Sequence, residues 1–220
     1  MELLFVSATP FEAEGLLSRG KEPFSFRGRR GVLGEGWRWL ELGVGKVNAA
    51  MTLAAYLEAE ARPFRVVVIG IGGAYPQSGL RPGEVAVASL ELQADLGTKR
   101  GLEPLGFPAL VVKGKKLYNR FPPDPALTAF VSERLGKRPV PFLTADLVSE
   151  SFEEAYERFR RWRAAVENME GAAVAQVALW RGLPWAEVRG ISNLAGERRR
   201  SAWRTDEALS RLWAELIKLL

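Results

Sequence analysis

The chain has 220 residues and contains neither cysteine nor histidine. The absence of cysteine excludes disulfides and thiolate ligands, and the absence of histidine removes the commonest metal ligand and general base. No run approaches about twenty consecutive apolar residues, so the sequence predicts no transmembrane helix and no membrane partner. Any proton transfer must therefore use carboxylates, amides, lysine, arginine or water, and we expect a cytoplasmic protein without a metal site.

The net charge of +5 raises the possibility of a nucleic-acid partner, because lysine and arginine release counterions from phosphates. The basic residues are scattered, however, at 27–30, 113–116, 158–163 and 198–200, as on a solvated surface. We therefore expect no nucleic-acid partner, although a non-catalytic nucleoside-binding or nucleic-acid-binding domain stays open as an alternative. Hydrophobic residues make up 47% of the chain, enough to fill the core of a single domain spanning residues 1–220.

Apolar runs that suit strands alternate with segments of helical periodicity. Strands are predicted at 3–7, 37–42, 66–69, 84–92, 110–112, 140–143, 164–166 and 185–191. Helices are predicted at 46–60, 125–135, 152–162 and 171–180, with another starting at Pro10 and an amphipathic one at the carboxyl terminus. This alternation predicts an α/β protein whose sheet is covered by helices on both sides.

Two glycine-rich segments come close to known phosphate-binding loops without matching them. In the segment 43–46, Leu40 stands where the first glycine of the nucleotide loop belongs, and Val47 replaces the metal-binding serine or threonine. In the segment 70–75, Tyr75 takes the place of the third glycine of the dinucleotide fingerprint. We therefore expect no cofactor, and we predict that glycines 70–73 form a tight turn at a strand end, where backbone can approach a ligand closely.

A carboxylate and an amide indicate a nucleoside site. Glu170 lies where an apolar strand gives way to an alanine-rich helix, so its side chain can accept hydrogen bonds from two vicinal hydroxyls. Asn193 ends the next strand with an amide that can donate to a purine nitrogen. Each has a structural alternative: Glu170 as an acid favoured by the helix dipole, and Asn193 as a turn residue.

Short segments along nearly the whole chain resemble, in order, the purine nucleoside phosphorylase and nucleosidase superfamily, specifically its hydrolase branch. The resemblance is carried by residues 5–8 with Glu12, and by the segments 43–50, 70–73, 80–85, 168–170 and 189–193. It implies an α/β/α sandwich around a mixed, partly barrel-like sheet. It also implies assembly into homo-oligomers, either dimers or larger.

Two departures from the family pattern bear on the substrate. Asn193 stands where adenine-specific nucleosidases have aspartate, and Asn168 replaces a second acid on the ribose side. Because an amide can donate to a purine without supplying a proton, Asn193 favours a 6-oxopurine. The hydrolases that resemble this pattern are the futalosine hydrolases, which release hypoxanthine from a menaquinone precursor. The nearest alternative is a methylthioadenosine/S-adenosylhomocysteine nucleosidase that releases adenine.

The resemblance also implies roles for individual residues. Glu12 would be the general base that deprotonates water, Arg189 would position Glu12 or serve only as its buried partner, and Asn193 would stabilise the leaving base. The nucleophile is expected to be water because the apolar Ile71 occupies a position near which phosphorylases bind phosphate. The expected substrate-binding residues are Glu170, Met169, Asn168, Val148, Ile71 and Gly72.

One basic segment remains open to two interpretations. Arg198, Arg199 and Arg200 follow Asn193 closely enough to reach the 5′ end of a bound nucleoside. Futalosine carries a benzoate there, so a cation is expected near it. The alternative is a solvated loop, which is the usual setting for a run of charges.

Overall fold

The computed structural model describes the whole chain, Met1–Leu220, as twelve strands and six α-helices. The strands are β1 Glu2–Ser7, β2 Glu22–Phe26, β3 Arg29–Leu33, β4 Trp37–Glu41, β5 Phe64–Ala74, β6 Val85–Gln93, β7 Leu110–Val112, β8 Lys115–Leu117, β9 Arg120–Phe121, β10 Val140–Thr144, β11 Val166–Asn168 and β12 Trp185–Leu194. The helices are α1 Glu14–Leu17, α2 Lys46–Glu60, α3 Pro125–Leu135, α4 Phe152–Trp162, α5 Gly171–Trp180 and α6 Thr205–Leu216. None of the helices is long and apolar enough to cross a membrane.

Five strands close into a barrel. Strand β5 pairs in parallel with β12, and β12 pairs antiparallel with β6. Strand β6 pairs in parallel with β10, which pairs in parallel with β11. An antiparallel pairing of β11 with β5 completes the ring. The sheet also continues outward from β5 through β1, β4, β3 and β2. The prediction of a mixed, partly barrel-like sheet is confirmed.

Helices cover both faces of this sheet. Along β5, Val66 and Val68 pack with helices α2 and α5, whereas Val67 and Ile69 pack with α3 and α6. Successive residues of a strand point to opposite faces, so an unbroken apolar run is what a strand buried on both faces requires. The predicted α/β/α arrangement is therefore confirmed, and the boundaries of α2, α3, α4 and α5 agree with the sequence prediction.

The glycines at 70–73 do not form a turn, so the prediction of a strand-end turn was wrong. Strand β5 runs through them to Ala74, held by β12 on one side and β11 on the other. A Cβ atom at Gly70, where φ is +151°, would lie 2.4 Å from Glu12 Oε1. A Cβ at Gly72 would lie 2.9 Å from the Glu167 carbonyl oxygen. The glycines thus let neighbouring groups approach the strand.

Other boundaries also differ from the sequence prediction. Strand β12 continues three residues beyond the predicted 185–191, so Asn193 lies within the strand, beside an irregularity in the pairing. Strand β11 begins at Val166, where the predicted strand 164–166 ends. The helix expected from Pro10 is a 3-10 turn, Pro10–Ala13, followed by the single turn of α1. The hairpin of β2 and β3 was not predicted.

Candidate active site

A cavity of about 300 Å³ opens where β1, β5, β11 and β12 end on the same side of the sheet. Eight of the nine predicted site residues line it: Glu12, Ile71, Gly72, Val148, Asn168, Met169, Glu170 and Asn193. The ninth, Arg189, lies behind the cavity wall. The sequence interpretation did not assign a role to further lining residues, which are Ala8, Thr9, Phe11, Val44, Gly73, Glu167, Ser192 and Trp203.

Backbone donors hold Glu12 in place. Its Oε1 accepts from the Ile71 backbone N–H at 3.0 Å, and its Oε2 accepts from the Thr9 backbone N–H at 3.1 Å. Burial raises the pKa of Glu12; nearby Arg189 opposes this rise, and Glu170 adds to it. A carboxyl group whose pKa moves toward neutrality is better matched to general-base work than an ordinary glutamate.

Arg189 links three carboxylates behind the cavity. Its Nε lies 2.8 Å from Glu187 Oε1, Nη2 lies 3.6 Å from Glu170 Oε2, and Nη1 lies 4.0 Å from Glu12 Oε1. Burial alone would lower the pKa of Arg189, but the three carboxylates outweigh it and raise the pKa. A permanent buried cation thus offsets the negative charges of Glu12 and Glu170 and fixes their separation.

Glu170 ends the short loop between β11 and α5. Its Oε1 accepts from the Gly45 backbone N–H at 3.0 Å, and its Oε2 faces Arg189. Gly45 has a φ of +85°, which favours glycine, and this conformation turns its N–H toward Glu170. The glycine segment at 43–46 therefore contributes a backbone donor to a carboxylate of the site.

Asn168 has its side-chain atoms engaged inside the protein. Its Oδ1 accepts from the backbone N–H groups of Glu170 at 3.1 Å and Gly171 at 2.8 Å, and from the Thr144 hydroxyl at 3.0 Å. Its Nδ2 donates to Glu91 at 2.8 Å. Although Asn168 lines the cavity, these bonds direct its amide to the start of α5, where it positions Glu170.

Asn193 presents an amide of defined orientation. Its Nδ2 donates to the Leu194 carbonyl at 2.8 Å, and its Oδ1 accepts from the Ser192 hydroxyl at 2.7 Å. A carbonyl can only accept, so the nitrogen end of the amide must face Leu194. One N–H of Asn193 remains for a ligand in the cavity.

Glu167 is a third carboxylate of the cavity that the sequence interpretation missed. Its Oε2 accepts from the Ser149 hydroxyl at 2.6 Å and the Tyr75 hydroxyl at 3.2 Å, and its Oε1 accepts from the Ser149 N–H at 3.2 Å. Burial raises the pKa of Glu167, although Ser149 and Arg158 oppose the rise. The available signal was an acid directly after the apolar run 164–166, next to two residues already assigned to the site.

Of the three arginines at 198–200, one lies at the cavity, and the other two belong to a solvated loop. Arg198 lines the cavity, and its guanidinium carbon lies 5.5 Å from the centroid of a Trp203 ring. Arg199 is exposed and pairs with Glu197, while Arg200 is an exposed residue outside this cavity. Arg198 is therefore the one cationic side chain among the lining residues.

No group of three or more histidine, cysteine, aspartate or glutamate side chains is arranged to hold a metal ion. The cavity instead offers fixed acceptors from Glu12, Glu167 and Glu170, an amide donor from Asn193, and an apolar wall that includes Met169. Together with the closed barrel, this arrangement defines an α/β protein with a polar site for a small molecule. The chain belongs to the Phosphorylase superfamily, whose family pattern matches residues 2–219.

Relatives of known activity match almost the full chain. Futalosine hydrolase from Thermus thermophilus is 48% identical over 218 residues, which cover 99% of this chain and 94% of that protein. Futalosine hydrolase from Streptomyces coelicolor is 35% identical over 229 residues, covering 100% of this chain and 95% of that protein. The family resemblance noted in the sequence is thus confirmed.

A solved structure shows the same fold in a more distant protein. The 5′-methylthioadenosine/S-adenosylhomocysteine nucleosidase from Colwellia psychrerythraea, in complex with adenine, matches with a TM-score of 0.84. The match covers 100% of this chain and 94% of that chain, at 20% sequence identity. At this identity the likeness concerns the fold.

Proposed function

We propose that the protein is a nucleosidase that hydrolyses the N-glycosidic bond of futalosine and releases hypoxanthine. The observation that carries the proposal is that Glu12 and Asn193, predicted to act on opposite sides of one bond, line the same cavity. The 48% identity to a futalosine hydrolase supports the same substrate. Through this reaction the protein would serve menaquinone biosynthesis.

Glu12 is the proposed general base. The oxygen of a water molecule bonds to the anomeric carbon, the bond from that carbon to the base nitrogen breaks, and Glu12 takes a proton from the water. The bonding electrons leave with hypoxanthine as its anion, which takes up a proton from solvent, and Glu12 returns its proton to solvent before the next turnover. The two backbone donors on Glu12 hold the carboxylate in a fixed direction, and such a base typically contributes about 10²–10⁴-fold to the rate.

Glu170 is proposed to bind the ribose. Its carboxylate would accept from two vicinal hydroxyls, with Met169 as an adaptable apolar floor under the sugar. The sugar develops positive charge as the bond breaks, as in other glycoside hydrolyses, and nearby carboxylates stabilise that charge. Arg189 offsets the negative charges of Glu12 and Glu170, and Asn168 holds the backbone from which Glu170 projects.

The base would lie against Val148 and Asn193. The remaining amide N–H of Asn193 would donate to N7 or O6 of the departing hypoxanthine, whose negative charge is spread over the ring. This donor is held in place before the reaction by Leu194 and Ser192, so little reorganisation is needed as charge develops. Ile71 and Gly72 would complete the wall beside the sugar.

Water is favoured over phosphate as the nucleophile by the lining of the cavity. Three carboxylates face the cavity, and the one cationic lining residue is Arg198. Ile71 presents an apolar side chain and its backbone N–H already donates to Glu12. A phosphate anion would therefore meet repulsion without a set of compensating donors.

Arg198 is proposed to contact the benzoate at the 5′ end of futalosine. Its pairing with Glu150 is long, at 3.8 Å, so the guanidinium is able to bind another carboxylate. Trp203 supports the arginine and adds an aromatic surface beside it. Replacing Arg198 by methionine should raise KM for futalosine while changing KM for inosine, which has no benzoate, much less. The matched control is Arg199→Met, because Arg199 is exposed and lies outside the cavity lining.

We propose further that two copies of the chain associate beside the cavity. Val44, Val47 and Met51 are 50%, 76% and 61% exposed, and Leu147 is 79% exposed. The loop bearing Leu147 lies next to α2, because the Lys46 N–H donates to Asp146 at 3.0 Å. Val44 also lines the cavity, so a second copy seated on these exposed apolar residues would help to enclose the substrate.

Light scattering after size exclusion tests this association. Val47→Glu should yield monomers, whereas the unmodified protein should yield dimers or larger assemblies. Val111→Glu, the same change at a 55% exposed valine of another element, β7, should not yield monomers. Monomers at every concentration of the unmodified protein would contradict the proposal.

Product analysis tests the proposed reaction. The protein is incubated with futalosine, inosine, methylthioadenosine and S-adenosylhomocysteine, with and without phosphate, and the released base and sugar are identified. Hypoxanthine from futalosine is the expected product. Preferential release of adenine would instead support the alternative function, that of a methylthioadenosine/S-adenosylhomocysteine nucleosidase, which is the activity named for the Colwellia protein of the same fold. Salt-dependent nucleic-acid binding with no base release would support a non-catalytic role.

A further inference from the structure

Glu167 is a cavity carboxylate to which the proposed reaction assigns no role. Glu12 and Glu170 both lie within 4.0 Å of Arg189, whereas Glu167, on β11, has Arg158 as its cationic neighbour. Gly73 on β5 is the paired residue of Glu167 on one neighbouring strand and of Asn193 on the other. Side chains at matching positions of adjacent strands point to the same face. Glu167 and Asn193 therefore flank one glycine on one face of the barrel.

Gly73 leaves the space between these two side chains open. A Cβ atom placed there would lie 3.3 Å from Glu167 Cγ and 3.5 Å from Asn193 Nδ2. Any larger side chain at this position would occupy the gap. An acceptor and a donor thus flank the same glycine on the wall of the cavity.

The carboxylate of Glu167 retains acceptor capacity. It accepts from the Ser149 N–H, the Ser149 hydroxyl and the Tyr75 hydroxyl. An ionised carboxylate offers about four acceptor positions. Oε1 receives only the Ser149 N–H, at 3.2 Å and shared with Oε2. Arg158, 3.7 Å from Oε2, offsets the charge from the side away from the cavity.

We infer that Glu167 accepts a hydrogen bond from N1–H of a 6-oxopurine while Asn193 donates to its oxygen-bearing edge. This inference rests on the proposed nucleosidase function and names the residue that selects the base. A 6-oxopurine carries an N1–H donor next to the O6 acceptor, which matches an acceptor beside a donor. A 6-aminopurine has the reverse pattern, with a bare N1 that would face the carboxylate without a hydrogen bond.

The expected preference for a 6-oxopurine over a 6-aminopurine follows from the free-energy cost of leaving a buried hydrogen-bonding group without a partner. A buried polar group left without a partner costs about 1–3 kcal/mol, which corresponds to roughly 5- to 150-fold in kcat/KM. Removing the carboxylate should therefore change the ratio of kcat/KM for futalosine to that for its 6-amino analogue by about that factor. The two substrates share the same sugar and 5′ group, so the ratio isolates the base.

The test compares Glu167→Met with the unmodified protein on both substrates. Methionine keeps the approximate length of the side chain but cannot replace the carboxylate as an acceptor for N1–H, so the variant should lose activity on futalosine and lose less on the 6-amino analogue. Ser149→Ala is the matched control: it removes a bond that holds Glu167 and its loop but keeps the carboxylate. This control should lower both activities in proportion and leave the ratio unchanged within about twofold, because the carboxylate of Glu167 is still there to accept from N1–H.

A second measurement needs no variant. Hypoxanthine should inhibit the unmodified protein roughly 5- to 150-fold more strongly than its 1-deaza analogue, which lacks the N1–H donor but keeps the ring shape. Equal inhibition, or an unchanged ratio in Glu167→Met, would overturn the role of Glu167 while leaving the nucleosidase function intact. Failure of the unmodified protein to release hypoxanthine from futalosine would instead overturn the proposed function itself.

Discussion

Replacing Glu12 by glutamine separates a catalytic role of this residue from a structural one. The substitution removes the proposed base and keeps the length of the side chain. A general base typically contributes about 10²–10⁴-fold, so the barrier should rise by about 3 to 5 kcal/mol. The amide nitrogen of the glutamine would face the backbone N–H of either Ile71 or Thr9, so one of two hydrogen bonds is also lost.

The effect on stability should depend on pH in a defined direction. Because burial raises the pKa of Glu12 above its ordinary 4.5, the folded protein binds this proton more tightly than the unfolded chain. The stabilisation that Glu12 provides relative to glutamine is therefore complete below pH 4.5 and is lost as the pH rises through the raised pKa. Each unit of upward shift corresponds to about 1.4 kcal/mol.

Two assays on the same preparations check these expectations. Single-turnover release of hypoxanthine measures the chemical step, and urea unfolding between about pH 4 and pH 8 measures the stability difference between the two proteins. Glu14→Gln is the matched control, because Glu14 is an exposed acid in the same segment. Turnover of Glu12→Gln within tenfold of the unmodified protein, or a stability advantage of Glu12 that grows with pH, would refute the reasoning.

Three further substitutions have expected outcomes. Asn193→Ala should lower kcat for futalosine by on the order of 10²-fold because a preorganised donor to the leaving base is lost, as steady-state kinetics would show. Glu170→Gln should raise KM and lower kcat, since the ribose acceptor becomes neutral; the sugar product that is left after hypoxanthine departs should then inhibit more weakly. Gly70→Ala should abolish most activity because its Cβ would meet Glu12 Oε1 at 2.4 Å, whereas Gly28→Ala, also at positive φ but in open space, should retain activity.

Much of the fold could be predicted from local sequence signals. The helices α3 and α4 begin where Asp124 and Ser151 accept a backbone N–H from the first turn, and α3 ends at Gly136 in the left-handed conformation. Such caps are local, so the sequence indicates them directly. The apolar run at Val66–Ile69 likewise predicts a strand buried on both faces.

The incorrect or missing secondary-structure predictions concern pairings that local sequence patterns do not show. Glycines favour turns, and the sequence gives no sign that β11 and β12 pair with β5 on both sides of Gly70–Gly73. The β2–β3 hairpin was missed because its residues are mostly half-buried or exposed and lack a clear apolar alternation. Pairing partners over such distances are not encoded in local periodicity.

The same limit applies to the site. Glu170 and Asn193 were identified from their places at strand ends and Glu12 from the family resemblance, and the structure places these residues around one cavity. The closeness of Glu167 to Asn193 was not foreseen, because it depends on the register of both residues against Gly73. The engagement of Asn168 with the start of α5 also becomes visible only in three dimensions.

The most direct test of the account follows the oxygen atom that ends on the sugar. The unmodified protein is incubated with futalosine in ¹⁸O-labelled water, with and without phosphate, and both products are analysed by mass spectrometry. We predict hypoxanthine at a rate independent of phosphate and one ¹⁸O atom at the anomeric carbon of the released sugar. A sugar phosphate as product, or base release that requires phosphate, would contradict the claim that Glu12 activates water in this cavity.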